Sequence, residues 1–557
     1  MDTTRFILVI SLSLVIMLLW DAWQRDYGTT ATVEESVPRV AADKEFNRAN
    51  DLPALPEDVS GENIVREETG SAQQKKKIAV TTDLFSVSID LHGGTLSSAR
   101  LLELPVSLDN PEEPVEILTD TNDQVYIIQG GLLSDRQAPT HDATYSSDRS
   151  EYVLADGADV LQVPLYWKSD DGVEVIKLYE FSRNKYQIKI RYEIANHSPE
   201  EWKARAYAQI QRTGKEDEGR GVIYTYTGAV LSSPDNRYEK ISFEDMAEEK
   251  ISRTIRGGWA AMIKHYFVTA LIPGSGDDEY HYYSLYLDSR KTGLSRDRYV
   301  IGATGPLLSV KPGDVTQQMQ SLYVGPKSQH RLEDLAPGLE LTVDYGKLWF
   351  IAKPLFWCLE KFFSLTGNWG WSIILVTLML KLLFYNLSAA GYRSMARMRK
   401  VQPRLVAIRD RYKDDKTRLN KAMMDLYKQE KINPLGGCFP ILVQIPVFIA
   451  LYWVLLESVE LRQAGFIFWL RDLSTPDPYF ILPLVMGVTM FIQQKLNPAP
   501  MDPVQEKVMM TLPFVFTIFF AFFPSGLVLY WVVNNVLSIA QQWLIMRNLD
   551  RAGLKNP

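Results

Sequence analysis

Lys381 is the residue whose setting points most directly to a function. It interrupts the apolar run WGWSIILVTLMLKLLFYNL, which contains no acid to neutralise it. An ammonium near the middle of a membrane helix costs at least ~2.5–3.5 kcal/mol and normally faces a bundle interior or water. Snorkelling to the surface is the simpler explanation. However, ten residues separate Lys381 from Gly391, about 15 Å of helix, and a lysine stem reaches less than half of that. Polar companions lie on other apolar stretches. Asn534, Ser538, Gln541 and Gln542 recur at i, i+4, i+7 and i+8, with Asn535 beside them, so they form one helical stripe. Gln444 sits inside a second stretch, Gln493 and Gln494 close a third, and Thr377 lies one turn from Lys381. Interhelical hydrogen bonds account for any one amide alone. Together with an unpaired cation they predict a wet cavity open to the cytoplasm.

The same residues argue against covalent chemistry. Cys358 and Cys438 are the only cysteines, and the six histidines (His92, His141, His197, His265, His281, His330) are scattered without ligand spacing. No metal site, cofactor site or disulfide framework is expected from them. No Walker motif is present, so ATP is not a direct energy source. No acid lies deep in an apolar stretch to relay protons or bind sodium, and no inverted repeat is visible, as a secondary transporter usually requires. The expected activity is not enzymatic. The cavity would offer hydration and positive charge to a short polar segment while its hydrophobic neighbour slides into lipid. A transporter or channel for a polar solute remains the alternative, as does a membrane-anchored, sugar-active protein.

The elements that hold these residues are strongly segregated. A mean hydropathy of −0.12 averages an apolar start, a polar acidic middle and an apolar end. Residues 1–23 read as an uncleaved signal anchor, because no small-residue cleavage site follows Phe6–Trp20. Residues 24–77 lack apolar period and read as a disordered linker. From Ile78 the period becomes two: Phe85, Val87, Ile89 and Leu91 alternate with Ser86, Ser88 and Asp90. In Val173–Phe181, Val173, Val175, Leu178 and Phe181 interleave with Glu174, Lys177 and Glu180; Ile188, Ile190 and Tyr192 share one face further on. Residues 78–342 are therefore expected to be an all-β sandwich. Sandwiches of this size often act on sugars, but no paired acid and base stands out.

Residues 343–366 read as an interfacial amphipathic helix and 367–391 as a second transmembrane helix. Residues 434–547 hold transmembrane helices three to six, and 548–557 form a cytoplasmic tail. The whole is a polytopic α-helical membrane protein of six spans with an all-β outer domain. Several spans are short: the sixteen residues of Met509–Pro524 cover about 24 Å against a ~30 Å hydrocarbon core, which thins the bilayer locally. Residues 392–433 carry thirteen Lys or Arg and five acids, a net charge of +8, which places them and both termini in the cytoplasm and the β domain outside. Within them Met395, Met398, Val401, Leu405, Ile408 and Tyr412, then Leu419, Met423 and Leu426, recur at helical spacing. A helical hairpin is expected, with Pro403 kinking or restarting its first helix. Its cations Arg397, Arg399, Lys400, Arg404, Arg409 and Arg411 are either a solvated topogenic face or a dock for nascent chain, ribosome or acidic headgroups. No nucleic-acid specificity is expected.

Particular strings carry a resemblance beyond this pattern. VDYGKLWFIAKPLF (343–356), GNWGWSII (367–374), INPLGGCFPILVQIPVFIALY (432–452), ILPLVMGVTMF (481–491) and FPSGLVLYWVVNN (523–535), with GGWAAMIKHYFVTALIP (257–273) and LYVGPK (322–327), closely resemble the YidC membrane-protein insertases of Gram-negative bacteria. The resemblance covers nearly the whole chain outside 24–77. It implies an inner-membrane insertase and chaperone that inserts, folds and assembles membrane proteins, alone or beside the Sec translocon. It also implies a periplasmic β-supersandwich and a five-helix core around a hydrophilic groove. Lys381 stands where the family usually has a groove arginine, which keeps the charge and loses the planar fork. Asn386 stands where many relatives have proline, so a straighter helix is expected. Thr377 and Trp531 match positions beside the groove. Ile445, Pro446 and Phe514 match the slide for the incoming helix.

Overall fold

The computed structural model describes residues 76–214, 225–274, 278–412, 415–430, 439–497 and 503–551. The expected signal anchor, nearly all of the linker, residues 431–438 and most of the C-terminal tail lie outside the described residues. The chain forms two compact units. Among the described residues, one holds residues 76–347 together with Leu456–Gln463, and the other holds Leu348–Leu455 and residues 464–551.

The first unit is a β-sandwich. Among the described residues its strands run from Lys77 to Pro326 and form a ten-stranded and an eight-stranded sheet. In the larger sheet Trp202–Thr213 pairs antiparallel with both Val125–Leu133 and Arg298–Val310. In the smaller, Gln187–Asn196 pairs antiparallel with both Val173–Ser182 and Val315–Pro326. Period-two alternation explains why these strands pack: Ile188, Ile190, Tyr192 and Ile194 are all buried while their neighbours reach the surface. Each such aliphatic side chain contributes roughly 1.5–3 kcal/mol when fully buried.

One residue departs from the expected pattern. Lys177, read from sequence as a polar-face residue, is completely buried. Strict alternation from Val173 through Val175 puts it on the inner face, between Val175 and Tyr179. Its Nζ donates to the carbonyls of Gly93 (3.1 Å), Gly94 (2.9 Å) and Gly130 (2.8 Å). The rings of Tyr145, Tyr179 and Tyr192 surround it with centroids at 5.4–5.9 Å. Three donors thus meet three acceptors and three π faces, which suits the ammonium form. Gly94 has φ +55°, and a Cβ there would stand 3.2 Å from Nζ, so the turn must be glycine for the cage to close.

The second unit is helical: α1 (Trp349–Thr366), α2 (Trp369–Leu383), α3 (Tyr385–Arg411), α4 (Lys416–Gln429), α5 (Phe439–Glu457), α6 (Ile481–Leu496), α7 (Pro503–Phe520) and α8 (Ser525–Arg551). Asn368 caps α2 by accepting from the Trp371 amide, and Asp415 caps α4 through Thr417 and Arg418. Helices α3 and α4 pack as a hairpin around Val401, Leu405 and Leu426, with Met398, Ile408, Met423 and Tyr427 against them. Pro403 lies inside α3, which continues through it without restarting.

The expectation of a straighter helix at Asn386 is overturned. α2 and α3 meet at 67° around Phe384. Just past the break the Tyr385 carbonyl accepts from Gln541 of α8 at 3.2 Å, and a side chain bonding into the backbone ladder is a recognised companion of a kink. By length and apolarity no single described helix is sufficient to cross a membrane, while the bent pair α2–α3 passes together. The exterior is nonetheless oily. Leu382, Leu383, Leu484, Val488, Phe514, Val515 and Ile518 are all more than half exposed, and so large an uncovered apolar surface is stable only against lipid or a partner.

Burial pulls the Lys177 pKa down to about 7 from its ordinary 10.5. Between those values the folded chain has released this proton while the unfolded chain still holds it. Unfolding therefore takes up a proton, and Lys177 adds stability as pH rises through that window. Lys177→Met should lower stability by on the order of 3 kcal/mol by leaving three carbonyls unpaired. Denaturant unfolding of the full chain in detergent, followed by tryptophan fluorescence, should show wild type gaining on this variant from about pH 7 to about pH 10. A pH-independent gap would contradict the assignment.

Candidate functional site

The polar stripe of α8 faces inward. Asn535, Ser538, Gln541 and Gln542 are buried, and α8 packs against α2, α3 and α6. An amide or hydroxyl in that position needs a partner, because an unpaired buried polar group costs about 1–3 kcal/mol. The partners are other helices: Asn535 Nδ2 donates to Thr489 Oγ1 (3.2 Å), and Gln542 Nε2 to the Leu496 carbonyl (3.2 Å). Gln542 Oε1 is buried without a protein partner.

Lys381 enters this network from α2. Its Nζ donates to Ser538 Oγ at 2.7 Å, and Ser538 Oγ donates to the Asn534 carbonyl at 2.7 Å. Asn534 Oδ1 accepts from Gln444 Nε2 of α5 at 2.9 Å. The chain Lys381–Ser538–Asn534–Gln444 therefore ties three helices around one cavity of about 410 Å³. Its polar lining includes Lys381, Ser388, Gln444, Gln493, Gln494, Asn497, Asn534, Asn535 and Ser538, and its apolar lining includes Ile445, Phe448 and Trp531. Trp531 stands edge-on to Phe448 with ring centroids 4.5 Å apart. No carboxylate is among the lining residues, so the one fixed charge is positive.

Most of the residues expected at the site meet there, and three do not. Thr377 is buried off the cavity, and its hydroxyl donates to the Ile373 carbonyl of its own helix at 2.6 Å. It is corrected from a groove residue to a packing one. Pro446 and Phe514 also lie outside the lining, Phe514 on the oily exterior at 62% exposure. Ile445, by contrast, lines the cavity and is 43% exposed. Tyr392 and Tyr530 were missed. Both line the cavity. The positions of Ser388 and Tyr392, seven and eleven residues beyond Lys381, were a helical signal for them. On α3, Arg397, Arg399, Lys400 and Arg411 are exposed. Arg404 braces the hairpin by pairing with Glu430 at 2.6 Å, and Arg409 lies 3.8 Å from Asp410.

This assembly has amides, hydroxyls and one ammonium inside an apolar shell, a set that solvates polar groups. The second large cavity, about 880 Å³ in the β unit, includes Lys189, Arg237 and a single carboxylate, Asp278, in its lining. Glycoside hydrolysis would need a carboxylate pair.

Comparison with known proteins gives concordant matches. The family model described as YidC periplasmic domain matches residues 77–358, and that described as 60Kd inner membrane protein matches 361–552. The chain is 48% identical over 570 residues to the membrane protein insertase YidC of Thioalkalivibrio sulfidiphilus, covering all of both chains. It is 48% identical over 557 residues to that of Methylococcus capsulatus, covering 99% of each. Among solved structures it is similar to an active YidC insertase with its first transmembrane domain resolved, at 19% identity and a TM-score of 0.37, over 84% of this chain and 92% of that one.

The two environments of the helical unit make different predictions for thiol chemistry. With Cys358 and Cys438 replaced by serine, cysteines at Ser538 and Gln493 should react with a membrane-impermeant maleimide in vesicles exposing the cytoplasmic face. A cysteine at Phe514 should stay unlabelled until detergent is added. Equal labelling at all three positions would contradict a wet cavity within an oily exterior.

Proposed function

Because this chain belongs to the YidC family of membrane protein insertases, we propose that its cavity receives the polar flank of an incoming transmembrane segment. The chain is a membrane protein insertase, and its substrates are nascent membrane proteins. The observation that carries the mechanism is the Lys381–Ser538–Asn534–Gln444 network around a cavity without carboxylates.

The physical problem of insertion is to move a polar tail past hydrocarbon. Amides, hydroxyls and water in the cavity replace part of the hydration that the tail loses. The Lys381 ammonium adds attraction for an acid in the tail, about 4 kcal/mol for charges 4 Å apart at an effective dielectric of about 20, before desolvation costs. The adjoining apolar segment meets Ile445 and then Phe514 and Pro446, and passes into lipid because that is its lower free-energy state. Short helices assist. The sixteen residues of α6 span about 24 Å against a ~30 Å core, so the bilayer beside them thins. No cofactor enters the scheme.

The topology that suits this cycle has six spans with both termini in the cytoplasm, the sandwich in the periplasm and α1 along the outer interface. The α3–α4 hairpin then faces the cytoplasm, where Arg397, Arg399, Lys400 and Arg411 are placed to meet a ribosome, nascent chain or acidic lipid. The Sec translocon is the proposed partner for larger substrates.

The test is reconstitution of the purified chain in liposomes with no other protein, during synthesis of a small single-span substrate with an acidic tail. Protease protection should exceed that of empty liposomes. Lys381→Arg should retain protection, and Lys381→Ala should lose it several-fold. A neutral-tail substrate should be much less sensitive. Undiminished insertion by Lys381→Ala would remove the charge from the mechanism, and no protection by wild type would remove the autonomous insertase.

A further inference from the structure

Between Leu378 and Ala390 the chain contains no proline or glycine. The leucines, methionine, lysine and alanines of that stretch favour a continuous helix, yet α2 ends at Leu383 and α3 leaves it at 67°. The break is a single residue, Phe384, at φ −91° and ψ 11°. With no local cause in the sequence, the bend has to be held from outside. Helix α8 packs on both α2 and α3, and two of its side chains bond on either side of Phe384. Ser538 accepts from Lys381 Nζ at 2.7 Å, three residues before the break, and Gln541 Nε2 donates to the Tyr385 carbonyl at 3.2 Å, one residue after it. Ser538 and Gln541 are themselves three residues apart, one turn of α8. Two successive members of the polar stripe thus straddle the bend.

The bend positions one wall of the cavity. Ser388, Gly391, Tyr392 and Met395 all line it, and their spacing of i, i+3, i+4 and i+7 puts them on one face of α3. At 1.5 Å per residue Met395 stands about 17 Å beyond Phe384, so opening the angle by roughly 20° would carry it about 6 Å. The two clamps differ in kind. Lys381 is the group that the insertion mechanism offers to an acidic tail, so its bond to Ser538 has to be exchanged during each cycle. The Gln541 bond ends on backbone, and Gln541 is buried outside the cavity lining, so substrate does not compete for it.

We propose that Gln541 is a positioning residue for the groove: its bond to the Tyr385 carbonyl fixes the angle between α2 and α3, so that Lys381 can exchange Ser538 for a substrate carboxylate while the α3 wall stays in place. The exchange rests on the insertase reading. The angle is a property of the substrate-free protein and stands apart from that reading.

The test uses the full chain in proteoliposomes with two readouts. The first is the distance between spin labels at Leu378 and Ala407, both exposed, in a background with Cys358 and Cys438 replaced by serine. A 67° bend sets these positions about 39 Å apart along the helix axes, and a straight helix about 44 Å. The second, on unlabelled protein, is protease protection of a single-span substrate with an acidic tail. Gln541→Met keeps the length of the side chain and removes the donor. It should move the distance toward the longer value and lower protection about fivefold, within the range seen for coupling residues that touch neither ligand. Adding Asn386→Pro should restore both, because a proline ring in the first turn of α3 clashes with the carbonyl four residues back and enforces a break. Ser538→Ala should leave the distance unchanged. A wild-type distance in folded Gln541→Met, or a straightening by Ser538→Ala as large as that by Gln541→Met, would overturn the proposal. If Gln541→Met does not fold, the double variant with Asn386→Pro decides. Wild-type values in both readouts uphold the proposal, and a wild-type distance with protection still fivefold low overturns it by giving the amide a task other than the bend. A bent wild type that inserts no substrate removes the insertase reading and leaves the bend assigned to Gln541.

Discussion

A lysine ammonium inside an apolar helix bundle has to be solvated by something, and the rest of the helical unit is organised around how Lys381 meets that requirement. A carboxylate would neutralise it and leave nothing for a substrate. Here the first partner is a hydroxyl, Ser538, which passes the interaction to a backbone carbonyl and, through Asn534, to Gln444. The charge is held in place without being cancelled. The amides that hold it need partners of their own, which draws in α5 and α6 and leaves a cavity lined by both polar and aromatic side chains. In the proposed mechanism, a groove that hydrates a polar tail and releases an oily helix follows from satisfying one cation by dipoles.

The same chain handles two other buried lysines differently. Lys177 is enclosed by three carbonyls and three tyrosine rings, a fully saturated shell that pins one sheet of the sandwich to the other. Lys327 is matched by the carboxylate of Glu457. Both are closed arrangements, with no donor capacity directed at an outside molecule. Lys381, by contrast, is half-buried, bonds a neutral hydroxyl and borders a cavity. Burial alone does not mark a working site: the lysines that are almost wholly buried among the described residues, Lys177 and Lys327, are both in the β unit.

Much of this was legible in the sequence because it follows from period. The i, i+4, i+7, i+8 stripe on α8, the lone Lys381 and the strand alternation around Ile188–Ile194 depend on helix and strand geometry, which is local. What could not be read depends on long-range packing. Lys177 obeyed the alternation and was still misread, because a lysine is assumed to face water until its carbonyl cage, assembled from residues 93, 94 and 130, is seen. The 67° break at Phe384 has no proline or glycine to announce it. Thr377 sits at the right spacing from Lys381, yet bonds its own helix. Tyr392 was assigned to the cytoplasmic hairpin because of its basic neighbours, although its spacing places it with the groove. The family resemblance supplied the purpose of the groove, which residue types alone had left open between insertase and transporter.

The central claim is that the polar and apolar parts of one substrate separate within the helical unit, the tail into the cavity and the helix onto the oily face. The most direct measurement is site-specific photocrosslinking to a ribosome-stalled single-span substrate, with the photoreactive group placed in turn at Ser538, Gln493, Ile445 and Phe514. The account predicts that Ser538 and Gln493 capture the polar tail and that Phe514 captures the apolar segment, with Ile445 at the boundary. Capture of the apolar segment from within the cavity at Ser538, or of the tail at Phe514, would contradict it.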